Sequence, residues 1–193
     1  MKYSLALSLR PLALVFAMLL LSSDLLVAQN KNFKFGQLSI DDGLSNTNVI
    51  CILQDSRGFL WFGTRDGLNK YDGYNFTVYS HDTKDSTTLG ANLITGIVED
   101  ENHNLWITTE GGGLNRYDRF ADSFQRFQHN SNDPESIASN IAVSLAQDRQ
   151  GNLWIGTESS GLEFFDKRTQ KFTHYSHDPA DSLTLSDKNV EAV

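Results

Sequence analysis

One sequence pattern occurs three times in this chain and constrains its fold more than any other feature. The first copy, DSRGFLWFGTRDGLNKYDG, runs from Asp55 to Gly73, and related copies begin at Asp100 and Asp148. Alignment of the copies brings three tryptophans into register at intervals of 45 and 48 residues. Intervals of this length are typical of solenoids and propellers, in which each repeat buries its apolar surface against its neighbours. Any function therefore has to be carried by an array of similar units.

Each copy also has an aspartate six residues before the tryptophan and a threonine three residues after it. The nine positions that we predict to be structural are Asp55, Trp61, Thr64, Asp100, Trp106, Thr109, Asp148, Trp154 and Thr157. The tryptophans lie within apolar runs, which favours core packing over sugar stacking, and an aspartate before a glycine suits a turn. A catalytic or calcium role is less favoured, because the repeats separate the carboxylates and DSRGFLW lacks the closing glutamate of a calcium loop.

Each repeat contains four short apolar segments separated by turn residues. In the first repeat they are LSNTNVICILQD, FLWFGT, GLNKYD and NFTVYS. Contiguous apolar residues indicate strands that are covered on both faces. No segment has the i, i+4 apolar spacing of a helical solenoid. The sequence therefore predicts an all-β chain of four-stranded β-propeller blades.

The repeats divide the chain into six predicted parts. They are a signal peptide (1–28), a strand that completes the last blade of the ring (29–43), three blades (44–88, 89–135 and 136–182) and the start of a fourth blade (183–193). Lys2 and Arg10 precede an apolar run that is too short to span a bilayer, which is typical of an export signal. We expect cleavage after Ala28, and an uncleaved anchor is the alternative. Three blades cannot close a ring, so we expect the chain to be the leading fragment of a longer protein.

Composition and spacing argue against several classes of function. The net charge of −8 without a basic cluster disfavours nucleic acids and anionic membranes as partners. Cys51 is the single cysteine, and its apolar surroundings favour a buried side chain over a reactive thiol. No nucleophile elbow or Ser-His-Asp order is present, and a zinc pair formed by His174 and His177 is the weak alternative for a metal site. We therefore predict no catalytic residue, no metal and no cofactor.

The pattern D-x-x-G-x-L-W-x-G-T followed by G-L-x-x-Y-D resembles the two-component regulator propeller repeat. The chain departs from that pattern at His103, Asn104, Thr108 and Phe165. The resemblance implies the exported sensor half of a Bacteroidetes hybrid histidine kinase on the periplasmic side of a Gram-negative inner membrane. It implies further blades, a membrane helix, a kinase, a receiver and often a DNA-binding output domain in the same polypeptide. It also implies homodimerisation at full length and an oligosaccharide ligand that controls genes for polysaccharide use.

The loops that would surround the mouth of a propeller supply the candidate ligand-binding residues. Connections between the second and third strands open on the same face as the links between blades. The candidates on these loops are Arg65, Asp66, Glu110, Glu158, Ser159, Ser160, His81 and His177. Such polar groups suit a hydroxyl-rich ligand, and a solvated rim without a ligand is the alternative. A secreted propeller enzyme acting on polysaccharide and a protein-docking scaffold remain open as other functions.

Overall fold

The structure is a computed structural model that describes residues 36–193. The predicted signal peptide and residues 29–35 lie outside the described part. Twelve strands in this part form three separate four-stranded sheets. The first contains β1 (Val49–Gln54), β2 (Leu60–Thr64), β3 (Gly67–Tyr71) and β4 (Phe76–Tyr79); the second contains β5 (Ile94–Glu99), β6 (Leu105–Thr109), β7 (Gly113–Asp118) and β8 (Ser123–Phe127); the third contains β9 (Ala142–Gln147), β10 (Leu153–Thr157), β11 (Leu162–Asp166) and β12 (Lys171–Tyr175).

Within each sheet, every strand pairs antiparallel with the next strand along the chain. This simple meander follows from short polar turns, which connect consecutive strands without a crossover. Gly58 and Gly151 adopt φ angles of 90° and 85° in the turns between the first and second strands, a conformation that glycine tolerates well. The prediction of an all-β chain built from propeller blades is confirmed. The three blades do not close a ring within residues 36–193.

Neighbouring blades pack face to face through two apolar clusters. β5 contacts β1 and β2, and β9 contacts β5 and β6. The first cluster joins Trp61 and Leu68 of the first blade to Ile107 and Tyr117 of the second. The second cluster joins Trp106 of the second blade to third-blade side chains that include Phe165. The contiguous apolar runs therefore have their expected cause, since a blade between two others is covered on both faces.

The first strand of the first blade differs from that expectation. Its burial alternates along the strand, and Ile50 and Ile52 are 43% and 61% exposed. β6, in the second blade, is buried at all five positions. The difference follows from position, because no described residue covers the face of β1 that carries Ile50 and Ile52, whereas β6 lies between two sheets.

The two ends of the described part bear on the predicted boundaries. Near the C-terminus, Gly161 N donates to Lys188 O over 2.8 Å. Gly67 N and Gly113 N donate in the same way to Asn92 O and Asn140 O, at the beginning of the second and third blades. The same kind of contact thus recurs at Lys188, and the start of a further blade at 183–193 stays a prediction. At the other end, Ile40–Asp42 form a 3₁₀ turn, and the role of 29–43 in completing a blade stays a prediction. No helix within residues 36–193 is long and apolar enough to cross a membrane.

Cys51 packs against the first apolar cluster, and burial raises the pKa of its thiol to about 11. Since the thiolate is the reactive form, we expect alkylation at pH 8 to be about a hundredfold slower in the folded protein than in urea. Cys51 is the single cysteine, so mass spectrometry of the labelled protein reports this site alone. Equal rates in buffer and urea would contradict the buried position.

Candidate functional site

The repeated aspartate binds the turn that follows it and the tryptophan of its own blade. Asp55 Oδ1 accepts hydrogen bonds from the amides of Arg57 and Phe59, each over 3.0 Å, and Asp55 Oδ2 accepts one from Trp61 Nε1 over 2.9 Å. The equivalent indole bonds measure 2.8 Å at Asp100 and 3.3 Å at Asp148. These contacts give the aspartates a structural role, fixing the turn and the indole together.

A cation from the next blade also binds this aspartate. Arg119 lies in the β7–β8 turn of the second blade, and its Nη1 is 2.8 Å from Asp55 Oδ2 in the first. Its Nη2 is 2.8 Å from Glu99 Oε1. Lys167, at the equivalent position of the third blade, lies 3.0 Å from Asp100 Oδ2. We call each such pair an interblade ion pair, and each ties two successive blades together at the end of the strands opposite the β2–β3 loop.

The interblade ion pairs also determine the charge state of the aspartates. Burial alone would raise the pKa of Asp55, but hydrogen bonds from Trp61, Arg119 and the Phe59 amide outweigh burial and lower the pKa. The pKa of Asp100 is lowered against burial in the same way, by Trp106, Asn104 and Lys167. Both carboxylates are therefore ionised acceptors near neutral pH, which does not suit a general acid.

The repeated threonines hold the loops that carry the candidate ligand-binding residues. Thr64 Oγ1 donates to Gly67 O over 2.9 Å, and Thr157 Oγ1 donates to Gly161 O over 2.8 Å. Thr109 makes the corresponding bond to Gly113 O over 3.3 Å. All three side chains are buried beneath the loops, so they position the rim without facing solvent.

The structure brings together two of the eight candidate residues. Glu110 and Glu158 line one cavity of about 230 Å³ together with Asn189 and Glu191. The other candidates lie around this face without lining that cavity. Arg65, Asp66 and Ser159 are exposed, and Ser160 is half-buried. Whether these residues bind a ligand stays a prediction.

The two candidate histidines form hydrogen bonds with the backbone of the links between blades. His81 Nδ1 donates to Leu89 O over 2.6 Å, and His177 Nδ1 donates to Leu185 O over 2.6 Å. His129 makes the same bond to Ile137 O over 2.9 Å. A carbonyl oxygen only accepts hydrogen bonds, so Nδ1 of each histidine carries a proton and donates it to the backbone of the link. Sequence reasoning missed this role, although the recurrence of histidine after the fourth strand in all three repeats was a usable signal.

The third blade has a buried glutamate, Glu163, at a position where the other two blades have a buried asparagine. Asn69 and Asn115 are buried, and Asn115 accepts from Gly90 N over 2.8 Å while its amide group donates to strand carbonyls. Glu163 occupies this position in the third blade with no solvent exposure. Its Oε2 lies 2.6 Å from His174 Nδ1, and its Oε1 has no hydrogen-bond partner.

The Glu163–His174 pair retains a proton to a higher pH than an isolated histidine would. Burial raises the pKa of Glu163 despite its contact with His174. Burial lowers the pKa of His174, but the bonds to Pro134 O and Glu163 outweigh it and raise the pKa. His129 also faces Glu163, and the exposed Lys171–Glu135 pair lies beside the same link. Because both groups bind a proton more tightly in the folded protein than in the unfolded chain, protonation stabilises the folded state at low pH. This stabilisation is lost as the pH rises through the folded-state pKa values of Glu163 and His174.

We therefore expect Glu163→Gln to stabilise the protein by about 1 kcal/mol at pH 8, because a neutral amide removes the buried negative charge that the carboxylate carries there. The gain over the wild-type protein should shrink as the pH falls to 5, where the wild-type pair is protonated. Urea unfolding at both pH values measures the difference. Asn115→Asp is the matched variant, placing a carboxyl in the second blade without a histidine partner, and it should lose stability as the pH rises. A pH-independent effect of Glu163→Gln would contradict this account of the pair.

The structure does not bring His174 and His177 together as a zinc pair. His174 contacts Glu163 and Pro134 O, whereas His177 donates to Leu185 O. Across residues 36–193, no group of three or more His, Cys, Asp or Glu side chains is placed to hold a metal ion. The geometry of the described part thus offers turns, interblade ion pairs and a polar rim.

Comparison with known proteins identifies the repeats. The family model for the two component regulator propeller matches residues 43–66, 88–111 and 136–159, which contain the β1–β2, β5–β6 and β9–β10 hairpins. These segments are two-component regulator propeller repeats. The resemblance that the D-x-x-G-x-L-W-x-G-T pattern indicated is thus confirmed.

Solved structures with similar blades include extracellular domains of bacterial signalling proteins. The extracellular domain of BT3049 from B. thetaiotaomicron, assigned as a hybrid two component system, is 34% identical with a TM-score of 0.72 over 80% of this chain and 21% of that one. The extracellular domain of BT4673 from the same organism, assigned as a one component system, is 25% identical with a TM-score of 0.61 over 78% of this chain and 19% of that one. Virginiamycin B lyase from Staphylococcus aureus is 16% identical with a TM-score of 0.56 over 78% of this chain and 47% of that one, a likeness of fold alone.

A curated relative matches a short segment of this chain. Histidine kinase P4 from Formosa agariphila is 53% identical over 64 residues, which is 33% of this chain and 5% of the kinase. The propeller repeats of this chain therefore span a small part of the proteins that they match.

Proposed function

We propose that this chain is part of the extracellular, ligand-sensing β-propeller of a hybrid two-component sensor histidine kinase. The observation that carries the proposal is the shared blade structure of BT3049, whose similar region is an extracellular domain of an assigned hybrid two component system. The identity to a histidine kinase over 64 residues supports the same assignment. The chain itself would bind the signal, and kinase activity would belong to other domains of the same polypeptide.

The proposal includes a place and a type of ligand. The propeller would lie on the periplasmic side of a Gram-negative inner membrane, and the full-length protein would act as a homodimer. An oligosaccharide would bind at the rim formed by the β2–β3, β6–β7 and β10–β11 loops and change the activity of the kinase. The control of genes for polysaccharide use follows from that ligand. The polar groups around the cavity at Glu110 and Glu158 support a hydroxyl-rich ligand.

A thermal-shift screen of the purified full chain against neutral and acidic oligosaccharides tests the proposal. A ligand at roughly a hundredfold its Kd adds about 2.7 kcal/mol of stability. For a domain of this size, this corresponds to a rise in Tm of about 5–10 °C. We expect at least one saccharide to produce such a rise, and we expect Glu110→Gln with Glu158→Gln to reduce it. Arg168→Gln, which alters an exposed turn of the third blade, is the control.

The outcomes separate sensing from the other functions. A saccharide that is bound and left intact supports a sensor, whereas one that is cleaved indicates a propeller enzyme. If no saccharide changes the Tm, oligosaccharide sensing is wrong and a protein-docking scaffold becomes the better interpretation. A rise in Tm that the Glu110 and Glu158 variants leave unchanged would move the binding site away from the rim.

A further inference from the structure

We propose that a second cavity, on the face opposite the rim, binds a sugar that carries an anionic group; this rests on the proposed function as an oligosaccharide sensor. The cavity has a volume of about 330 Å³ and lies where the first and second blades meet. Its lining residues come from the β1–β2, β5–β6 and β7–β8 turns and from β7. The lining residues include Arg57, His103, Arg116, Arg119 and Phe120.

Charge distinguishes this cavity from the rest of an acidic protein. Three arginines line it, although the chain has a net charge of −8. Arg119 forms ion pairs with Asp55 and Glu99, which hold its side chain in place in the wall of the cavity. Among the described residues, no carboxylate lies within ion-pair distance of Arg57 or Arg116. Arg116 Nη2 donates to Gln125 Oε1 over 2.7 Å, and its guanidinium group lies over the Trp106 ring. The Arg57 guanidinium group and the remaining donors of Arg116 are therefore available to an external anion.

The one carboxylate that lines the cavity, that of Asp118, binds backbone amides of its own turn. Asp118 Oδ1 accepts hydrogen bonds from the amides of Phe120 and Ala121 over 2.8 and 3.0 Å. These bonds lower the pKa of Asp118 and shape the turn that presents Phe120. The Phe120 side chain is 98% exposed at the edge of the cavity. An exposed aromatic ring beside polar groups offers the apolar surface on which the C–H face of a sugar can stack.

The residue type at His103 differs from that of its equivalents in the other two blades. His103 adopts a φ angle of 63° where the first and third blades have Gly58 and Gly151. A non-glycine residue in this region is uncommon and marks a position for a possible function. His103 Nδ1 lies 2.9 Å from Ser56 Oγ, so the imidazole joins the second blade to the first at the cavity wall.

The junction of the second and third blades provides an internal comparison. By alignment of the repeats, Asn102, Gly151 and Phe164 stand there in place of Arg57, His103 and Arg116. That junction therefore lacks both unpaired guanidinium groups and the imidazole. The features of the cavity are added to the shared blade, and folding of the repeat does not require them.

The arrangement favours an anionic sugar over other ligands. A guanidinium fork binds a carboxylate or a sulfate through paired hydrogen bonds, and a sugar ring supplies hydroxyl groups and a face for stacking. The volume is within the range of small-ligand sites. A uronate and a sulfated sugar share this chemistry, and an experiment can separate the two.

Calorimetric titration of the full chain tests the cavity with three probes: tri-galacturonate, a sulfated galactose trisaccharide and neutral galactotriose. We expect at least one anionic probe to bind at least about tenfold more tightly than the neutral probe, because hydrogen bonds to a charged group are worth more than neutral ones. The probe that binds identifies the anion as carboxylate or sulfate. Higher ionic strength should weaken this binding.

Variants at the cavity and elsewhere decide between the outcomes. Arg57→Gln and Arg116→Gln should each weaken binding of the anionic probe about tenfold. Arg57→Gln should do so without a change in Tm, whereas Arg116→Gln also removes the bond to Gln125. The first substitution introduces the residue that the third blade already has at this position, Gln150. Arg149→Gln in the third blade is the matched control and should have no effect. Rim variants at Glu110 and Glu158 should also leave this affinity unchanged.

Failure of this inference can be separated from failure of the proposed function. If the neutral probe binds as tightly as the anionic probes, or if Arg57→Gln and Arg116→Gln leave the affinity unchanged, the cavity proposal is wrong and sensing at the rim still stands. If no anionic probe binds while a saccharide from the thermal-shift screen does, only the cavity proposal is overturned. If no saccharide of any kind binds, both proposals are overturned.

Discussion

Replacement of Trp106 by alanine is expected to lower the free energy of unfolding by about 3–5 kcal/mol, the range for a large aromatic side chain removed from a core. The Trp106 indole is almost fully buried and packs against Phe127 and Phe165 at the junction of the second and third blades. Its Nε1 also donates to Asp100. The substitution therefore creates a cavity and removes a hydrogen bond from a buried carboxylate.

Urea unfolding of the purified protein measures this loss. Trp106→Phe keeps most of the aromatic volume and removes the donor to Asp100, so its loss should be smaller than that of the alanine variant. Phe120→Ala is a control for an aromatic side chain that is exposed in a turn, and it should leave stability nearly unchanged. Unchanged stability of Trp106→Ala would contradict the core assignment of the repeated tryptophans.

Arg119→Ala is expected to destabilise the protein by about 3 kcal/mol, because removal of one partner leaves the other charge buried without compensation. The side chain of Arg119 is 9% exposed, and that of Asp55 is fully buried. The variant should weaken the contact between the first and second blades while the fold of each blade is retained. Lys171→Ala removes an exposed ion pair with Glu135 and should change stability by less than about 1 kcal/mol.

The same ion pair predicts how acid affects the wild-type protein and the variant. The lowered pKa of Asp55 contributes stability above the pKa of the unfolded state, and this stability is lost as the pH falls through the folded value. Without Arg119, the pKa of Asp55 should rise, so the loss on acidification should begin at a higher pH. Unfolding measured between pH 7 and pH 3 should show wild type and variant converging in acid. A constant difference across this range would argue against an electrostatic origin.

Repetition made much of the fold predictable from the sequence. Trp61, Trp106 and Trp154 recur at intervals of 45 and 48 residues, and contiguous apolar runs around them indicated covered strands. The repeated Asp55 also indicated a turn, since glycine followed three residues later. These inferences needed only the repeat pattern and the residue types within one blade.

Contacts between blades were harder to predict. Arg119 reaches Asp55 across 64 sequence positions, and the basic residue at its position recurs in only two of the three blades. The pairing of Glu163 with His174 replaces an asparagine that the other blades keep, so alignment marks the difference without giving its partner. The exposed face of β1 could not be predicted from an apolar run, because its exposure depends on which neighbour covers it.

The sequence predicted which loops carry the candidate site, but it did not predict how the side chains on those loops are arranged. Alternation of strands and turns indicated which loops share a face, and the structure brings Glu110 and Glu158 to one cavity. The imidazoles of His81 and His177 instead lock backbone links, which loop position alone does not reveal. The cavity at Arg57 and Arg116 was missed because it combines turns of two blades on the opposite face.

Autophosphorylation of the full-length protein in membrane vesicles is the most direct test that this chain is the sensor of a kinase. The vesicles would be loaded with labelled ATP on the kinase side and treated on the propeller side with the saccharide that raises the Tm. We expect this saccharide to change the rate of phosphate incorporation, and Arg119→Ala to weaken the response by loosening the junction between blades. Phosphorylation that is the same with and without a bound saccharide would contradict the assignment of this propeller as the sensor.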